Sequence, residues 1–216
     1  MSNPREIDYQ QLIHFGRYLR GKMRVVNQYK YQKDWKIMDT WSDTDHAGCM
    51  ETRKSTTGGV IMFGEHIIKH WSSTQTLIAL SSGEAEYYGC VRAGSQSLGV
   101  RSMLEDLGVK GKRLRIKTDA SVAKSLASRR GIGGIRHIEV NQLWLQEKVN
   151  EGTIEMEKVK GEINRADVLT KPKDGPSLKQ QLTWTGQVIT NGRHAKAPKL
   201  ADFDPLDREA GSDAEE

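Results

Sequence analysis

The side-chain period of the chain changes once between Lys36 and Leu107, and that change restricts the fold more than any other feature. Ile37-Met38-Asp39-Thr40-Trp41-Ser42 alternates as a strand does and runs into Asp43. After a polar turn, residues 58–63 form a short apolar run rich in β-formers. Gly64-Glu65 reads as a tight turn, and residues 66–72 return as a third strand. Three strands joined by short turns imply an antiparallel meander. The helical period then begins: Ser81-Ser82-Gly83-Glu84 opens a helix predicted to reach Leu107 and stop at Gly108.

The rest of the chain extends this pattern. Residues 114–118 predict a strand ending on Asp119, and residues 121–129 a short helix. Residues 131–134 form a glycine-rich loop. Residues 137–150 predict an amphipathic helix that buries Ile138, Leu143, Leu145 and Val149. A last strand spans 154–159, with Ile154, Met156 and Lys158 alternating against Glu155, Glu157 and Val159. Residues 164–171 predict a further helix, ended by Pro172. Ahead of the meander, Leu12, Phe15 and Leu19 mark a helix over 9–21. The order β-β-β-α-β-α-α-β-α predicts an α/β fold. Its mixed five-stranded sheet would join an antiparallel meander to parallel β-α units, with helices on both faces. Beyond Thr190 the chain is rich in Gly, Ala, Pro and acids without a period, and reads as an acidic disordered tail.

Charge and composition narrow the partners. The last sixteen residues hold seven acids against Arg208, a net −6, so the remainder of a chain carrying +5 carries +11. A basic body of this kind suits a polyphosphate partner, although many basic domains bind none. Mean hydropathy is −0.65 and no apolar run is long enough to cross a bilayer. The N-terminus lacks the order of a secretory signal, and Cys49 and Cys90 read as reduced thiols. An intracellular chain, cytoplasmic or nuclear, is expected, with no membrane contact.

The acids sit where chemistry can use them. Asp43 and Asp119 close strands, while Glu86 and Asp167 are expected in the first turns of helices. Acids at strand ends and helix starts can converge at one sheet edge. Converging carboxylates repel and need cations between them, and hard oxygen ligands suit Mg²⁺ or Mn²⁺. Each acid also has a structural explanation. Ser81 and Glu84 make an S-x-x-E capping box, which accounts for Glu84 and leaves Glu86 on another side of the helix. Cys90 and Gly94, further along that side, are small enough for close approach to the sheet. Asn164 as N-cap with Asp167 three residues on would explain Asp167 structurally. Asp45 lies in a turn, where Asp is common.

At these residues the sequence resembles the ribonuclease H domains of Copia/Ty1-type retrotransposon Pol polyproteins. Ser42-Asp43-Thr44-Asp45-His46-Ala47-Gly48-Cys49 is similar to the S-D-x-D-x-A-G-C signature of that family. The residues from Thr52 to Gly59 continue the match, followed by Trp71-Ser72-Ser73 and Ser81-Ser82-Gly83-Glu84-Ala85-Glu86-Tyr87. Thr118-Asp119, Arg136-His137-Ile138-Glu139 and Asn164-Arg165-Ala166-Asp167-Val168-Leu169-Thr170-Lys171-Pro172 follow in the family's order. The resemblance spans residues 10–172 and implies a ribonuclease H-like fold. It implies an endonuclease acting on the RNA strand of an RNA·DNA hybrid, with two Mg²⁺ ions held by Asp43, Glu86, Asp119 and Asp167. It also divides the chain: 1–35 as a helical remnant of the preceding reverse transcriptase, 36–172 as the nuclease, 173–190 as a helical extension and 191–216 as the tail. Reverse transcriptase or integrase portions of a parent polyprotein are implied partners. The sequence departs from the wider ribonuclease H pattern in one place. The loop Val159-Lys160-Gly161-Glu162-Ile163 before the last acid lacks the histidine many such enzymes carry there, and His137 reads as a capping or packing residue. Two other functions remain open at this level: an inactive retroelement relic that at most binds nucleic acid, and an integrase- or resolvase-like nuclease acting on DNA.

Overall fold

Strand β2 (Ile37–Thr44) occupies the middle of a five-stranded sheet, with side chains buried on both of its faces. Met38 joins the main apolar core on one face, where Thr40 Oγ1 also meets Ser97 Oγ at 2.6 Å. Trp41 joins a second apolar cluster on the other face. The computed structural model describes residues 4–22, 24–33, 35–131, 138, 142–192 and 194–196. Strands β3 (Thr56–Phe63) and β4 (His66–Thr74) extend the sheet from β2 as an antiparallel meander. Their turn places Gly64 at φ +56°, the left-handed region that glycine enters without penalty. On the other side, β5 (Arg113–Thr118) and β6 (Ile154–Lys158) run parallel to β2, giving the order β4-β3-β2-β5-β6.

Parallel neighbours need crossover connections, and helices supply them. Helix α2 (Ser82–Asp106) returns the chain from β4 to β5, while α3 (Ser121–Ser128) and α4 (Trp144–Asn150) connect β5 to β6. Ser81 caps α2, its Oγ accepting from the Glu84 N–H at 3.2 Å. The buried side of α2 is rich in small residues, among them Gly89, Cys90, Ala93 and Ser97. This lets the helix lie close to the sheet: a Cβ on Gly89 would stand 2.4 Å from Thr44 Oγ1. The main core packs Ile61, Tyr87, Leu114, Ile116, Leu126 and Leu145 on this face. The second face gathers Val60, Met62, Ile67, Val159 and Ala166 around Trp41. Leu178 and Leu182 of helix α5 (Gly175–Trp184) line a crevice with Val60 and Ile67 there. The mixed sheet with helices on both faces is the ribonuclease H-like architecture expected from the sequence.

Three local differences have physical causes. Residues 164–171 do not form an α-helix but follow two short 3₁₀ turns, Gly161–Ile163 and Asp167–Leu169. Asn164 is fully buried, and its Oδ1 accepts from the Ala166 N–H at 3.2 Å, two residues on. That local bond offers the backbone an Asx turn in place of a helix start. Within the helix expected over 137–150, Trp144–Asn150 is α-helical, while Ile138 is buried in a bend. Its place in the apolar pattern reflects burial and not helix. Residues 132–137 and 139–141, which hold His137 and most of the glycine-rich loop, lie outside the described residues. Finally, β1 (Arg24–Asn27) and β7 (Gln187–Thr190) pair as a separate two-stranded sheet. At four residues each, they are too short to declare a period.

The chain divides into two compact units, one of residues 27–188 and one of residues 1–26 with 189–216. The second unit contains α1 (Glu6–Gly21), which forms where its apolar spacing predicts but buries none of its residues; Leu12 and Phe15 are more than half exposed. The acidic tail from 197 onward lies outside the described residues. Cys49 and Cys90 are both free thiols. No helix among the described residues is long and apolar enough to cross a membrane.

Candidate metal centre

The parallel register of β2 and β5 aligns the first two acids. Trp41 pairs with Lys117, so Asp43 and Asp119, each two residues further, end adjacent strands at the same level. Glu86 reaches the same place from the second turn of α2, one turn later than its spacing suggested. One oxygen from each of Asp43, Glu86 and Asp119 lies within 4.8 Å of the others. Cys90, one turn beyond Glu86, is fully buried where α2 faces the ends of the same two strands. The small residue there is what lets this side of the helix approach the sheet.

The electrostatics of the cluster are those of crowded, desolvated anions. Burial pushes the Glu86 carboxyl up to about 8, helped by the charges of Asp43 and Asp119. Burial also raises Asp43, which is 1% exposed; the Thr170 hydroxyl and Lys171 oppose the shift, while Asp119 and Asp167 add to it. Glu86 Oε2 is sealed from solvent without a hydrogen-bond partner among the described residues. A buried acceptor with nothing to accept is costly unless a ligand completes it. All the converging donors are carboxylate oxygens, so the arrangement fits a hard divalent cation such as Mg²⁺ or Mn²⁺. The neighbouring acids have other work. Glu84 accepts from the Leu80 N–H at 3.1 Å and from the Tyr88 hydroxyl at 2.6 Å. Asp45 accepts from the Thr56 N–H and closes the β2–β3 connection.

Asp167 stands beside this trio and not within it. It opens the 3₁₀ turn that follows the buried Asn164, whose Nδ2 donates to the Ser42 carbonyl at 3.0 Å. Gly58, the register partner of Asp43, leaves the room this segment needs: a Cβ there would stand 2.7 Å from Leu169 Cβ. Asp167 Oδ1 pairs with Lys171 Nζ at 3.0 Å, and Oδ2 pairs with Lys173 Nζ. Burial raises the Asp167 carboxyl, but the hydrogen bonds from Lys173 and Lys171 outweigh it and hold the group below the usual range. Lys171 Nζ also lies 3.5 Å from Asp43 Oδ2, the oxygen that accepts from the Thr170 hydroxyl. The loop that lacks a histidine backs the centre with bare backbone, since a Cβ on Gly161 would stand 3.0 Å from Asp119 Oδ2.

Comparison with known proteins follows the same lines. Over 172 residues the chain is 28% identical to the retrovirus-related Pol polyprotein from transposon TNT 1-94 of Nicotiana tabacum, a match covering 79% of the chain. Over 176 residues it is 27% identical to the Pol polyprotein from transposon RE1 of Arabidopsis thaliana, covering 80% of the chain. The relatives of this chain are Copia-type Pol polyproteins of transposons. The chain spans 13% and 12% of the length of these two Pol polyproteins. Among solved structures, it is similar to LC11-RNase H1, isolated from compost by a metagenomic approach. That likeness has a TM-score of 0.43 at 16% identity and covers 62% of this chain and 92% of the other. No protein-family model matches the chain.

Of the four acids singled out in this Pol-related sequence, the fold brings three into one cluster and sets the fourth beside it, against two lysines. Sequence reasoning passed over Lys171, Lys173 and Thr170. Their signal was present in the run Asp167-Val168-Leu169-Thr170-Lys171-Pro172-Lys173, where two cations follow the acid within six residues. It was masked by the expectation of a helix, in which Lys171 would be an ordinary i+4 partner.

Proposed function

We propose that the chain is an endonuclease that hydrolyses the RNA strand of RNA·DNA hybrids, with divalent cations held by Asp43, Glu86, Asp119 and Asp167. The meeting of the Asp43, Glu86 and Asp119 oxygens within 4.8 Å carries this reading. The unpartnered Glu86 Oε2 and the all-oxygen donor set support it. Mg²⁺ or Mn²⁺ at such a site supplies Lewis-acid stabilisation of the charge that develops in phosphodiester cleavage. The chain's own residues prepare the site. Asp43 is steadied by the Thr170 hydroxyl, and Glu86 stores a proton that it releases when a cation takes its place. The +11 carried by residues 1–200 favours a polyphosphate partner. Recognition then rests on phosphates and 2′-hydroxyls, with little reading of bases.

The Pol-polyprotein relatives support a retroelement origin. In that setting residues 36–172 form the nuclease, 1–35 a remnant of the preceding reverse transcriptase, 173–190 an extension and 191–216 the acidic tail. The reverse transcriptase and integrase portions of a parent polyprotein are the protein partners this reading names.

The test offers end-labelled RNA·DNA hybrid, duplex DNA and single-stranded RNA to the purified chain with Mg²⁺. RNA-strand products from the hybrid alone are expected, abolished by chelation and lost in Asp119→Asn. Hybrid binding without product would favour the inactive relic, and cutting of duplex DNA the integrase-like alternative. Cleavage undiminished in Asp119→Asn would remove the catalytic assignment.

A further inference from the structure

We propose that Lys171, with Lys173, is an internal counter-ion for one half of the metal centre. The chain then takes up a first divalent cation readily and a second only by displacing these ammonium groups from Asp167. The inference rests on the reading of the four acids as cation ligands.

The two sides of the centre are prepared differently. On the side of Asp43, Glu86 and Asp119, Glu86 Oε2 is buried and lacks a partner among the described residues. Among the described residues no ammonium group pairs with that oxygen. On the side of Asp167 both carboxylate oxygens are taken, one by Lys171 Nζ at 3.0 Å and the other by Lys173 Nζ. Lys171 Nζ is also 3.5 Å from Asp43 Oδ2, so it bridges Asp167 and Asp43, one acid on each side of the centre. An ammonium and a divalent ion on one carboxylate repel strongly, and one must leave.

The geometry leaves the lysines a way out. The Lys171 side chain is 47% exposed and the Lys173 side chain 28%, so both flexible stems can swing to water. The backbone that presents them is held apart from that motion. The Thr170 and Lys171 N–H groups donate to the Asp167 carbonyl at 3.3 Å, and Asn164 anchors the segment to Ser42. Displacement is therefore a change of side chains on a fixed loop.

The experiment counts bound Mn²⁺ on the full chain by paramagnetic resonance of the free ion, a readout that needs no turnover. Wild type is expected to hold one Mn²⁺ at concentrations where Lys171→Gln/Lys173→Gln holds two. Equivalently, second-site affinity rises by about tenfold or more in the double variant. Lys171→Arg keeps the charge and is expected to retain the wild-type count. Circular dichroism reports whether each variant is folded, and the exposure of both stems makes loss of fold unexpected. Equal stoichiometry and affinity in wild type and the folded double variant overturns the proposal while leaving the cation centre standing. Wild type binding no Mn²⁺, or Glu86→Gln and Asp119→Asn binding as wild type does, overturns the cation reading and this inference with it.

Discussion

Asn164 Nδ2 donates to the Ser42 carbonyl at 3.0 Å, and this bond ties the segment carrying Asp167 to the strand carrying Asp43. The same residue accepts from Ala166 N–H at its Oδ1 and from Gln181 Nε2 at its carbonyl, all without solvent exposure. Asn164→Ala leaves the Ser42 carbonyl and the Ala166 N–H short of a partner. Each buried orphan costs about 1–3 kcal/mol, so urea denaturation should show a loss within that range or above it. Asn164→Asp should be at least as damaging, because it turns a carboxylate oxygen toward a carbonyl. Hybrid cleavage should fall further than the unfolded fraction explains, because Asp167 loses its anchor. A stability change under about 0.5 kcal/mol in Asn164→Ala would show that the bond does not hold the loop.

Gly58 and Gly99 separate close approach from helix propensity. A methyl at Gly58 meets Leu169 Cβ at 2.7 Å, Thr170 Cγ2 at 2.9 Å and the Ala166 carbonyl at 3.0 Å. The loop must move, and overpacking of this kind costs about 1–3 kcal/mol. Gly99, on an exposed turn of α2, has nothing within 4 Å of the same methyl. Gly99→Ala should therefore raise stability by about 0.5–1 kcal/mol through helix propensity. Thermal melts of the two variants should move in opposite directions. Gly58→Ala should also weaken cleavage, whereas Gly99→Ala should leave it unchanged.

The sheet was legible because β5 and β6 alternate as burial requires, while β3, buried along nearly its whole length, shows as a continuous apolar run. Ile154 and Met156 are buried while Glu155 is exposed, as their alternation required. Asp43 and Asp119 were legible for the same reason, since strand ends follow from strands. Asp167 was placed in a helix because local pattern cannot see the Ser42 carbonyl, 122 residues away, that draws Asn164 inward. Ile138 misled for a related reason: a buried residue in a bend carries the same apolar signature as one on a helix face. The Lys171 bridge to Asp43 spans 128 residues and leaves no local mark at all.

On the second face of the sheet, Arg115 makes a two-pronged contact with Asp39 at 2.7 and 3.0 Å and reaches Glu157 at 3.1 Å. Lys117 adds a contact to Asp39 at 3.2 Å. These side chains are 13–38% exposed, so water screens the network and its value is small. Arg115→Met should cost at most about 1 kcal/mol at low salt, and less at about 1 M salt. Chemical denaturation at two ionic strengths checks this. A loss of several kcal/mol that persists in high salt would mean the pair acts by packing and not by charge.

Glu86 links the centre to pH. Its folded pKa is pushed up to about 8 from an ordinary 4.5, so between these values the metal-free folded chain binds more protons here than the unfolded chain does. Stability gained at this group is therefore fully present below the ordinary value and is lost as pH rises through the raised one. Asp43, also raised, acts in the same direction. Metal-free thermal melts should fall from pH 5 to about pH 8.5, and Glu86→Gln should flatten that slope. A cation that binds Glu86 must displace its proton, so Mg²⁺ uptake should release about one proton at pH 6.5 and almost none above about pH 9.5. Calorimetric titration in two buffers of different ionisation enthalpy measures that release directly. Equal release by wild type and Glu86→Gln at pH 6.5 would take Glu86 out of the cation shell, whatever the cleavage assay shows.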